Sequence, residues 1–62
     1  MNYYKHYKEC YKALDPEDRK KSRLHWLEIH EQNLTEARPD LIMFSAQMLQ
    51  SIYEAEEELA LV

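Results

Sequence analysis

Not one residue of this chain is glycine, and its two prolines stand at positions 16 and 39. Glycine supplies the positive φ of tight hairpin turns and lets backbone approach a phosphate closely. Its absence argues against β-hairpins, phosphate-cradling loops and glycine-dependent nucleotide motifs. No stretch alternates apolar and polar residues over strand length, so strands are not expected. Helices joined by very short connections remain.

The helical period is clearest in the last third. Leu41, Met48, Ile52, Ala55, Leu59 and Val62 fall at helical spacings with Phe44 alongside, and Ile42, Ala46, Leu49 and Tyr53 form a second row beside them. At about 100° per residue the two rows cover roughly 200° of the helix, twice what a single neighbour needs. This helix, expected over 39–60, is the long central element.

Two shorter helices precede it. Over 2–14, Tyr3, Tyr7, Cys10, Tyr11 and Leu14 share a face with Tyr4 at its margin, and Lys5, Lys8 and Lys12 line the other side. Each buried tyrosine hydroxyl needs a partner, so the tyrosines are expected at a rim with wet hydroxyls. Asp15-Pro16-Glu17-Asp18 reads as an N-cap, a first-turn proline and two acids at the positive end of the next helix, expected over 16–34. In that helix the run Arg19 to Arg23 has no apolar anchor and should be solvated. Leu24, Leu27 and Leu34 are expected to do the packing, with Trp26 and Ile29 on a second face. Glu54, Glu56, Glu57 and Glu58 oppose the dipole of the last helix and should fray its end unless basic groups cover them.

The expected fold is an all-α three-helix bundle with a long C-terminal central helix, one domain over residues 1–62, and self-associating. At 62 residues the chain buries only about 60% of its unfolded surface, so a staple is expected. Cys10 is the single cysteine, which excludes an intrachain disulfide and leaves oligomerisation. The run Leu41 to Phe44 is too short to cross a bilayer, and the N-terminus lacks a signal-peptide layout. A cytoplasmic location follows as the default, with no membrane partner.

Chemistry has little to stand on. His25 and His30 are five residues apart and do not share a helix face, and Glu28 and Glu31 read as solubilising. No metal or other cofactor is expected. Cys10 with His6 is the spacing of a thiolate–imidazole pair, but a cysteine inside an apolar stripe is usually a small buried hydrophobe, and no third catalytic group is evident. The chain reads as no enzyme.

Charge is segregated: residues 1–30 hold seven Lys/Arg against five Asp/Glu, and residues 31–62 hold one against seven. Lys5, Lys8, Lys12, Arg19, Lys20 and Arg23 form a candidate anion-binding surface, which supports an alternative reading as a nucleic-acid-binding regulator. A pI near 5.2 weighs against it. So does a helix that would enter a groove behind Glu17 and Asp18. The favoured reading is a small non-enzymatic protein acting by protein–protein interaction, as regulator, inhibitor or assembly factor, and as a homodimer. Its candidate partner-binding residues are Trp26, Ile29, Ile42, Met43, Ala46, Leu49 and Tyr53, because so much apolar surface exceeds one core.

Overall fold

The computed structural model describes residues 3–61; Met1, Asn2, Val62 and the Tyr3 side chain, assigned above to apolar stripes or to the N-terminal layout, lie outside the described residues. Helix α1 runs Tyr3–Ala13, α2 Pro16–Thr35 and α3 Pro39–Ala60, with no strand among the described residues. Helix α3 packs against both α1 and α2, which meet each other far less. Tyr4 lies by Phe44 and Lys12 by Glu58, so α1 runs parallel to α3. Arg23 meets Glu56 while Asn33 meets Leu41, so α2 runs antiparallel to α3. The result is an up-down-up bundle with Cα extents of 38 × 27 × 16 Å.

Local chemistry sets both corners. Pro16 disfavours helical backbone in the residue before it, and Asp15 is extended at φ −74° and ψ 166°. Its Oδ1 accepts from the Asp18 N–H at 2.8 Å, capping α2. At the far end the Arg38 N–H reaches the Asn33 carbonyl at 3.2 Å and the Ala37 N–H reaches the Leu34 carbonyl at 3.2 Å. That is the paired 6→1 and 5→2 pattern of a Schellman turn, and it puts Ala37 at φ 53°. A residue with a Cβ is strained there, by about 1–2 kcal/mol.

The core lies along α3. Met48, Ile52 and Ala55 are buried with Leu49, and Tyr11 closes them from α1 with Tyr7, Leu14 and Trp26 packed around. Ser45 and Ser51 are also buried and turn their hydroxyls back onto the Leu41 and Gln47 carbonyls. Their small side chains let the neighbouring helices approach. Trp26 stands edge-on to Tyr7 at 6.3 Å and tilted against Phe44 at 5.7 Å, so one indole touches both other helices.

Four expectations are corrected. Leu24, Leu27 and Leu34 are exposed, because α2 turns the row Arg19, Arg23, Trp26, His30 and Asn33 inward instead. Arg19 and Arg23 are therefore half-buried rather than solvated. Tyr11 is 1% exposed, not at a rim, since its hydroxyl finds a carboxylate. Cys10 is exposed, one helical step away from the Tyr7 and Tyr11 line that meets the core.

Two substitutions test the corners. Asp15→Ala is expected to lower stability by about 1 kcal/mol through the lost cap. Ala37→Gly is expected to raise it by about 0.5–1 kcal/mol, strain relief offset by the freer unfolded chain. Urea midpoints followed by circular dichroism check both, and an Ala37→Gly variant no more stable than wild type would contradict the strained turn.

Candidate interaction surface

Two polar clusters fix how α2 is rotated against α3, and so decide which side chains face outward. At one end Tyr11 of α1 donates to Glu56 Oε1 at 2.5 Å, and Arg23 of α2 donates to the same oxygen at 3.0 Å. One carboxylate on α3 thus binds both other helices. The Arg19 guanidinium of α2 closes the same corner on the Leu14 carbonyl. Burial, then the Glu56 carboxylate, push the Tyr11 hydroxyl up to about 12.

At the other end His30 Nδ1 lies 2.7 Å from Ser45 Oγ, which also contacts the Leu41 carbonyl at 2.9 Å and Asn33 Nδ2 at 3.3 Å. A serine hydroxyl has one proton. Directed to the Leu41 carbonyl, it leaves two lone pairs for the Asn33 and His30 N–H donors, and every group is satisfied. Ser45 is fully buried, and its hydroxyl is taken up by contacts that tie α2 to α3.

The basic residues are largely engaged. Lys8 and Lys12 grip Glu58 at 2.7 and 3.0 Å, and Arg23 holds Glu56. The lysine ammonium groups pull Glu58 below the usual carboxylate range, and its carboxylate holds both lysines up. Basic groups therefore cover two of the four acids near the end of α3, which stays helical to Ala60. Lys5 also has a partner, so among the candidate anion-binding residues Lys20 is the one that stands clear. Tyr4, Lys5, Lys8, Gln47, Gln50, Ser51 and Glu54 line an open groove of about 370 Å³ between α1 and α3. Among the described residues no three His, Cys, Asp or Glu side chains gather as metal ligands, and no helix is long and apolar enough to cross a membrane.

Several large apolar side chains face outward among the charged ones. Met43 is 65% exposed, Tyr53 53% and Leu34 53%, and Leu24, Leu27 and Ala46 are exposed as well. Of the partner-binding residues expected from sequence, Met43, Ala46 and Tyr53 are on this surface and Ile29 and Ile42 are partly open. Leu49 is in the core and Trp26 is held in the aromatic cluster, so neither is free to contact a partner broadly. Leu24, Leu27 and Leu34, expected to pack inside, belong to this surface instead. The signal was present: the row 24, 27, 31, 34 has Glu31 in its middle, and a lone carboxylate does not suit a core stripe.

At about 100° per residue, the leucine row sits roughly a quarter turn from the side of α2 that meets α3. Ile42, Ala46 and Tyr53 sit on the flank of α3 beside α2. Because α1 approaches α3 from its Phe44–Ser51–Glu58 side, the two rows border one valley on the face away from α1. No protein-family model, curated protein or solved structure matches the chain.

The buried hydroxyl predicts a pH response. A folded-state value raised from 10.0 to about 12 means that the stability held by Tyr11 is complete below pH 10 and is lost as pH climbs toward 12. Urea midpoints should fall over that window by more in wild type than in Tyr11→Phe. Identical slopes for the two proteins would show the hydroxyl to be wet.

Proposed function

We propose that this chain works without catalysis, by binding protein through the apolar valley between α2 and α3, as a regulator, inhibitor or assembly factor in the cytoplasm. The observation that carries the reading is the exposure of Leu24, Leu27, Leu34 and Tyr53 on helices whose rotation is locked by satisfied polar clusters. A chain this small that could bury the three leucines by turning α2 would gain about 1.5–3 kcal/mol for each one fully covered. Arg23–Glu56 and His30–Ser45–Asn33 instead hold the leucines outward. Large apolar side chains fixed in water on one face are the usual mark of a partner surface.

Nucleic-acid binding is the less favoured reading, because Lys8, Lys12 and Arg23 are already matched by Glu58 and Glu56. Salt separates the two: phosphate contacts weaken steeply as salt rises, whereas apolar burial does not.

The test is the double variant Leu34→Asp with Tyr53→Asp, checked for wild-type helicity by circular dichroism. Every association that wild type makes, with itself or with a protein it captures, should vanish in the variant and survive about 0.5 M salt in wild type. Association retained by the variant, or one abolished by salt alone, would overturn the reading.

A further inference from the structure

The leucine row of α2 belongs to a longer seam. Glu17, Lys20, Leu24, Leu27, Glu31 and Leu34 recur at spacings of three, four, three, four and three. That is the a/d pattern of a coiled coil, and all six side chains are exposed. Three charges in such a seam, Lys20 and Glu31 flanking Leu24 and Leu27 and Glu17 at the helix end, are costly against an apolar groove, so most partner surfaces are excluded. They fit one that places opposite charges at Lys20 and Glu31 and leaves Glu17 at an open end.

A second α2 does this when it runs antiparallel about a two-fold axis. In the register whose facing positions sum to 51, Leu24 meets Leu27 of the other copy and Leu27 meets its Leu24. Lys20 then meets the other Glu31, and Glu31 the other Lys20. The flanking positions sum to 49 and set Lys21 against the other copy's Glu28, again twice by symmetry. The outermost layer sets Leu34 against Glu17, at a helix end where the carboxylate reaches water. A parallel pairing would instead put Lys20 on Lys20 and Glu31 on Glu31.

The protomer leaves these charges available. Among the described residues Lys20, Lys21, Glu28 and Glu31 join no ion pair, while Lys8, Lys12, Arg23 and Arg38 do. The opposite flank of the seam, Arg23 and His30, is already committed to α3. Only the Lys21–Glu28 flank faces outward. With the seam a quarter turn from α3, the incoming helix would also lie beside Ile42 and Tyr53. A standard interface takes about 800 Å² from each partner, roughly a sixth of the 4714 Å² that the protomer exposes.

We infer that the occupant of the valley is a second copy of this chain, joined through antiparallel α2 helices in an isologous contact. The inference rests on the proposed valley and adds the identity of the occupant and the register.

The test uses Lys20→Glu and Glu31→Lys on the full chain, with mass followed by sedimentation across a dilution series. Each variant alone turns two attractive pairs into two repulsive ones, and its dimer dissociation constant should rise on the order of tenfold. Mixed in equal amounts, the two variants restore both pairs, so a heterodimer of wild-type affinity should form. The double variant should do the same with itself. A dimer indifferent to both single changes, or a mixture no tighter than its components, overturns the register. If Leu34→Asp with Tyr53→Asp still abolishes that dimer, the valley stands without it. A wild type that stays monomeric at every concentration overturns self-pairing outright, and the valley is then judged on captured protein alone.

Discussion

Three helices converge on one carboxylate. Glu56 of α3 accepts from Tyr11 of α1 and Arg23 of α2, and the remaining contacts follow from that junction. A half-buried glutamate is unfavourable unless matched; here a guanidinium and a hydroxyl match it together. Directionality is the point. Apolar contacts among Met48, Ile52 and Leu49 would tolerate several rotations of α2, but Arg23 reaches Glu56 from only one. His30, Asn33 and Ser45 impose the same rotation from the other end, so α2 is held at two places and the side it offers to water is fixed.

Charge segregation acquires a structural meaning in this arrangement. The parallel run of α1 and α3 sets Lys8 and Lys12 beside Glu58, so the basic first helix neutralises the acidic end of the last. The macrodipole of α3 is left unfavourably opposed by its own carboxylates, and α1 offsets that. A chain that divides its charge by sequence thus does not divide it by surface.

Some of this was legible in the order of residues and some was not, for identifiable reasons. Asp15 and Pro16 announce the first corner because capping acts within four residues. Met48, Ile52 and Ala55 announce the core because one helical period carries them. The rotation of α2 was hidden, since that helix bears apolar groups on several sides and is positioned by Arg23, His30 and Asn33, whose partners lie 33, 15 and 12 residues away. Tyr11 could not be told from Tyr4 or Tyr7 for the same reason: its partner is 45 residues distant. Tertiary polar contacts leave no periodic trace. The Schellman turn was missed because Ala37 occupies a position where glycine is the usual signal.

Trp26 is the only tryptophan in the chain, and its ring rests on Tyr7 of α1 and Phe44 of α3 while its own backbone belongs to α2. A single indole, excitable at wavelengths that the five tyrosines do not absorb, therefore sits where all three helices meet. Its emission cannot stay native if either neighbour leaves, so one optical channel reports complete assembly of the protomer without any label. Because the indole lies off the leucine seam, association along that seam leaves its immediate surroundings intact, so its emission follows folding undisturbed by association.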